Sequence, residues 1–190
     1  ELVNQSRKAA AVVAQLSALE AQIDSERMLP GSIEVLSSGR QRWEKRSLQW
    51  IDASRPPSEF SSGRILDVDV YLPQNPGDTP PKTIVISHGL GSDRTTFAYL
   101  AEHYASHGFA VIVPQHPGSD ARQLEALISG TTQEVSQASE FLDRPLDITF
   151  ILNELETLEA SSPEWRGRLN VKEVGAIGQS FGGYTVLALA

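Results

Sequence analysis

The sequence predicts an α/β protein built on an open, mostly parallel sheet with flanking helices, and three observations carry that reading. Thr83-Ile84-Val85-Ile86, Phe109-Ala110-Val111-Ile112-Val113 and Val174-Gly175-Ala176-Ile177 are short continuous apolar runs, the composition of strands covered on both faces. Helical stretches alternate with them over residues 95–107, 146–158 and from Ser180 onward. Two strand candidates of another character precede them, at residues 43–51 and 65–72.

Taken in order, residues 2–29 read as one helix, with Val12, Leu16, Leu19 and Ile23 on a single face and Pro30-Gly31 as its stop. Residues 1–30 therefore form a separate N-terminal element. Its narrow stripe, backed by alanines, suits packing on a neighbour, and a lid, a tether or an oligomer contact are open alternatives. The turn-rich stretch 54–63 separates the first two strand candidates. In the second, Leu66, Val68, Val70 and Leu72 share one face and Asp67 and Asp69 the other, the period of a half-solvated antiparallel strand near a sheet edge. Pro73 and Asn75-Pro76-Gly77-Asp78 end it. Gly108 sits where a helix C′ residue belongs, and Pro145 is placed in a first helical turn. Residues 130–139 are polar and read as a surface loop.

Composition narrows the function classes. The net charge of −8 and pI of about 5.0 lack the footprint of a nucleic-acid binder. No run approaches the ~18 apolar residues of a membrane span. The absence of cysteine excludes disulfides, thiolate metal sites and cysteine nucleophiles, and leaves the compartment open. The chain starts at Glu1 without a methionine or a signal-peptide pattern, so it is expected to be a piece of a longer protein.

The chemistry is concentrated in two glycine-bearing turns. Gly178-Gln179-Ser180-Phe181-Gly182-Gly183 follows an apolar strand and opens an apolar helix. A serine on a tight strand-to-helix turn lifts its hydroxyl above the sheet edge, and its neighbours must be tiny for the turn to close. Gly178 and Gly182 hold those neighbouring places, and the helix N-terminus offers amides to a developing oxyanion. Chance alone yields ~0.1 such patterns in a chain of this composition, so the flanking strand and helix supply much of the signal. A glycine-rich nucleotide-binding turn is the bland alternative. It is disfavoured because no lysine follows and no Gly-x-Gly-x-x-Gly is present. Upstream, Ser87-His88-Gly89-Leu90-Gly91-Ser92 also follows a covered strand. Leu90 and Phe181 occupy the two positions whose backbone N–H groups would face a carbonyl oxygen. His88, Gly89, Gly91 and Gly183 are the supporting turn residues.

These residues resemble the α/β-hydrolase fold, in its branch of platelet-activating-factor acetylhydrolases and dienelactone-hydrolase-like proteins. The resemblance rests on Ile86-Ser87-His88-Gly89-Leu90-Gly91, on His107-Gly108-Phe109-Ala110-Val111 and on Gly178-Gln179-Ser180-Phe181-Gly182-Gly183, and it covers about residues 64–190. Gln179 stands where that branch often has histidine. The resemblance implies a serine hydrolase acting on lipid or other small carboxylic esters through an acyl-enzyme, without cofactor or metal. Acyl transfer to another acceptor, or an inactive binding module, are the alternatives. It also implies that the triad acid and histidine follow the serine. The ten residues after Ser180 contain neither, and His88, His103, His107 and His116 all precede it. Residues 43–190 are therefore expected to be the N-terminal part of an incomplete α/β-hydrolase domain, nearly inactive alone, with the C-terminal strands missing.

Other residues carry weaker signals. His103 and His107 share a helical face at a spacing metal sites use, but no third ligand accompanies them. His116 and Asp120, after the next strand, are candidates for a pocket wall or for turn-building hydrogen bonds. His88 is expected to brace its loop. Arg144 and Asp147 flank a helix start as structural residues, and Glu154, Glu156 and Glu159 form a solvated face.

Overall fold

A computed structural model describes residues 37–55 and 62–189. The helix expected over 2–29 and the middle of the turn at 54–63 lie outside the described residues. All the strands and helices named here belong to the unit formed by residues 39–190.

The described residues form five strands: β1 (Trp43–Asp52), β2 (Arg64–Pro73), β3 (Lys82–Ser87), β4 (Ala110–Pro114) and β5 (Asn170–Gly178). They pair in the order β1-β2-β4-β3-β5. The first two are antiparallel with Ile51 opposite Ile65, and β2 is antiparallel to β4, whereas β3 runs parallel to both β4 and β5. Among the described residues four helices connect or follow the strands: α1 (Ala98–Ser106), α2 (Ala121–Ile128), α3 (Glu140–Ser161) and α4 (Phe181–Leu187).

The two-residue period of each strand divides the core into two layers. Val85 and Ile112 join Leu66, Val68, Val70, Ile148, Ile151 and Leu155 beneath α3. Their neighbours Ile84, Ile86, Val111 and Val113 point the other way and pack under Ala101 and Ala105 of α1. Both faces of β3 and β4 are thus covered, which is why their sequences are continuously apolar. Each fully buried aliphatic side chain contributes about 1.5–3 kcal/mol.

Several expectations are corrected. The apolar run Val174–Ile177, read as a strand covered on both faces, lies in β5 at the edge of the described sheet, and residues 174–176 are exposed. The face of β2 carrying Asp67 and Asp69 is not simply solvated: Asp69 and Tyr71 are buried, and Ser47 Oγ donates to Asp69 at 2.6 Å while Arg94 pairs with it at 3.3 Å. Pro145 lies inside α3 rather than in its first turn, because the helix opens at Glu140. The helix α2 lies where the sequence reading placed no element. Asp120 caps it by accepting from the Gln123 N–H at 3.2 Å.

The inner face of α3 has two characters. Arg144, Asp147, Ile148, Ile151 and Leu155 are spaced by three, one, three and four residues, so they share one stripe. Its C-terminal part meets the sheet with apolar groups. Its N-terminal part carries a guanidinium and a carboxylate, both wholly buried, under the loops at the carboxyl ends of the strands.

Candidate active site

Ser180 stands between the end of β5 and the first residue of α4, with φ 54° and ψ −117°. Among the described residues it is the one non-glycine with positive φ. A side chain there is strained by about 1–3 kcal/mol, a cost the surrounding contacts must offset. The turn is tight enough that a Cβ on Gly178 would lie 2.1 Å from Gly182 O, and one on Gly182 would lie 2.0 Å from Ser87 O. Both positions need glycine because backbone lies on the other side. Gly183 differs: a Cβ there meets Gly178 O at 3.5 Å, an ordinary contact, so its smallness is not required. The Ser180 side is exposed.

The upstream loop abuts this turn. Gln179 N–H donates to Ser87 O at 3.3 Å, and Gly89 faces the Gln179 side chain. Gly91 has φ 70°, a left-handed turn, and its N–H donates to Ser119 O at 2.9 Å. Neither Leu90 N–H nor Phe181 N–H has a hydrogen-bond partner among the described residues.

His88 is fully buried and its tautomer follows from its neighbours. The His116 backbone N–H can only donate, and it reaches His88 Nε2 at 3.2 Å. Gly89 O can only accept, and it lies 2.8 Å from Nδ1. The ring is therefore neutral with its hydrogen on Nδ1. Burial lowers its pKa to about 4. Its hydrogen bond holds the peptide that carries Leu90 N–H.

Beneath both turns lies a polar network that the residue spacing alone did not disclose. Arg144 Nε donates to Thr185 Oγ1 at 2.9 Å, Nη1 to Ser119 Oγ at 2.9 Å, and Nη2 to Ser87 Oγ at 3.2 Å and to His88 O. Its guanidinium carbon lies 4.6 Å from the centroid of the Phe181 ring. Burial lowers its pKa to about 10, so it stays charged at neutral pH. Asp147 accepts from His116 Nδ1 at 2.9 Å, from Arg64 at 2.8 and 3.0 Å, and from Arg55. Burial pushes its carboxyl up, but the bonds from His116 and Arg64 outweigh this and hold it below the ordinary value. Arg64 also grips Glu140 through two bonds of 2.9 Å. Arg144 and Asp147, read from the sequence as flanking a helix start, thus sit well inside α3.

His116 has no exposed surface, so the pocket-wall role gives way to a bracing one. Its Nε2 faces Ser87 Oγ at 3.0 Å, and with Nδ1 on Asp147 this makes a buried serine–histidine–carboxylate arrangement. Burial lowers the His116 pKa to about 3. All three side chains are sealed from solvent, and Ser87 has ordinary backbone geometry at the end of β3. Asp120 does line a cavity, of about 740 Å³, together with Arg55, Arg64, Gln137 and Glu140. No residue of the Ser180 turn borders it. Around that turn the surface is apolar instead: Phe141 and Tyr184 are half exposed, with the Phe141 ring 4.9 Å from Phe181 and 5.1 Å from Tyr184. His103 and His107 lie at the C-terminal end of α1, their rings 4.6 Å apart. That end leads into the amino end of β4, the rim of the sheet opposite Ser180.

Comparison with known proteins places the fold. The chain is similar to the ferulic acid esterase from Streptomyces cinnamoneus, at 20% identity over 82% of this chain with a TM-score of 0.62. The fold is that of the α/β-hydrolases, as the glycine motifs implied. The chain spans 57% of the esterase's length. Residues 65–144 match the sequence model of the family described as platelet-activating factor acetylhydrolase, isoform II. That match takes in the His88 loop and ends at Arg144, short of Ser180. No curated protein sequence matches the chain.

Proposed function

We propose that the chain carries the nucleophile and oxyanion site of a serine hydrolase acting on carboxylic esters. The observation that carries this is the backbone of Ser180, which holds a strained positive φ at an exposed strand-to-helix turn. Strain of this kind persists only where the surrounding structure over-determines it, and it concentrates at reactive positions.

In the reaction, Ser180 Oγ attacks the ester carbonyl carbon while a base takes its proton. The carbonyl oxygen becomes an oxyanion, for which the unpaired N–H groups of Leu90 and Phe181 are the donors. The C–O bond to the alcohol then breaks, the alcohol leaves with the proton held by the base, and an acyl-enzyme remains. Water repeats the sequence and releases the carboxylic acid. His88, locked as a neutral ring, keeps the Gly89–Leu90 peptide aimed. None of the four histidines is placed to be the base: His88 and His116 are sealed and bonded elsewhere, and His103 and His107 lie at the far rim. The reading therefore requires an imidazole brought to Ser180 from outside these 190 residues.

The names of the matched family and of the esterase both denote ester cleavage, of an acetyl ester in one case and a ferulic acid ester in the other. The apolar surface formed by Phe141, Phe181 and Tyr184 suits a small or lipid ester with an apolar group. A fluorophosphonate probe applied to the full-length protein tests the reading, because it needs both an activated serine and an oxyanion site. We expect labelling on Ser180, abolished in Ser180→Ala and retained in Ser87→Ala. Labelling that survives Ser180→Ala, or that requires Ser87, sinks the proposal.

A further inference from the structure

The largest fully buried side chain of the described residues is a cation with only neutral contacts. The four hydrogen bonds of Arg144 go to three hydroxyls and one backbone carbonyl, and no carboxylate pairs with it directly among the described residues. Glu140 and Asp147 act on it from beyond contact distance, and both are already paired with Arg64. A tie between loops could be made by an uncharged donor at far smaller desolvation cost. The charge itself calls for an account.

Its placement supplies one. Arg144 holds the carbonyl of His88, at the base of the loop that carries Leu90 N–H. Through Nε it holds the Thr185 hydroxyl, which in turn donates to Phe181 O at 2.8 Å. The guanidinium also lies against the Phe181 ring. Both proposed oxyanion donors therefore belong to segments gripped by one buried positive charge.

We propose that Arg144 is a positioning residue for ester cleavage: it fixes the two oxyanion-donor segments and directs the field of a buried positive charge at the oxygen that becomes negative. This rests on the reading of Ser180 as nucleophile. A neutral ester in the ground state gains little from such a field, whereas the oxyanion gains much. The effect therefore belongs in kcat rather than in KM.

The test uses the full-length protein with Arg144→Met, which removes charge and donors, and Arg144→Lys, which keeps a charge. Hydrolysis of p-nitrophenyl acetate and the rate of fluorophosphonate labelling are measured, with near-ultraviolet circular dichroism to establish folding. Arg144→Met should lower kcat and the labelling rate by about 10- to 100-fold with KM within about threefold. Arg144→Lys should recover part of the loss. A buried lysine gives up its proton more readily than arginine, so the ratio of its kcat to that of the parent should rise as pH falls from 9 to 6. The groups facing it are Glu140, Asp147, Arg64 and the neutral His88 and His116. A folded Arg144→Met with kcat within threefold of the parent overturns the proposal. Where Arg144→Met does not fold, an Arg144→Lys ratio that is flat with pH overturns it instead. Absence of Ser180 labelling in the parent protein would reject the nucleophile reading, whereas labelling that is unchanged in folded variants rejects only the role of Arg144.

Discussion

Lowering the pH from 7 to 5 should remove about 4 kcal/mol of folding stability, through His88 and His116. Both rings are fully buried, and burial lowers their folded pKa values to about 4 and about 3, from 6.5 in the unfolded chain. A depressed value means that the stability is present above 6.5 and is lost as pH falls towards the folded value. Between roughly pH 6 and pH 5 the unfolded chain holds nearly two protons that the folded chain refuses, a slope of about 2–2.5 kcal/mol per pH unit. Over the step from pH 7 to 5 each ring accounts for about 2 kcal/mol. The depressed carboxyl of Asp147 adds its own loss only below its unfolded value of 3.8, and Glu140, raised by burial, offsets a little of the total. A domain of this size has about 5–15 kcal/mol in all, so the change is large enough to measure. Urea unfolding followed by tryptophan fluorescence at pH 7, 6 and 5 gives the number. A stability constant to within about 1 kcal/mol over that span would refute the assignment of two neutral, sealed imidazoles.

Two further outcomes test the turn itself. Ser180→Gly removes a side chain from a conformation only glycine adopts freely, so it should raise stability by about 1 kcal/mol after allowing for the more flexible unfolded chain, while ending probe labelling; a lower denaturation midpoint would contradict the strain. Gly182→Ala places a Cβ 2.0 Å from Ser87 O and 2.8 Å from His88 O, both backbone, and should cost about 1–3 kcal/mol and slow labelling more than tenfold; wild-type values for both would show that the two turns are not in contact.

The covered strands were legible because both their faces meet apolar layers, so Thr83-Ile84-Val85-Ile86 and Phe109-Ala110-Val111-Ile112-Val113 carry no alternation to mislead. The tight turn at Ser180 was legible through its glycine neighbours, whose necessity is a matter of local backbone distance. What the sequence concealed depends on long-range partners. Asp69 alternates like a solvent-facing residue, yet Ser47, twenty-two positions away, and Arg94 bury it. The helix α2 buries none of its own residues, and the sequence reading passed over both its cap, Asp120, and the one-sided spacing of Leu124, Leu127 and Ile128. Arg144 and Asp147 were polar marks near an expected helix start. Extending the stripe of Ile148, Ile151 and Leu155 backwards by one turn places both on the inner face, and that phase was the available signal.

The Ser87–His116–Asp147 arrangement bears on how hydrolytic centres are recognised. Interatomic spacing and residue type alone would single it out as catalytic, since its two contacts of 3.0 and 2.9 Å satisfy any geometric template. Yet no acyl group can reach an oxygen enclosed on every side, and its imidazole resists the proton it would have to accept. Searches for such centres therefore have to weigh reachability and backbone tension before they weigh proximity.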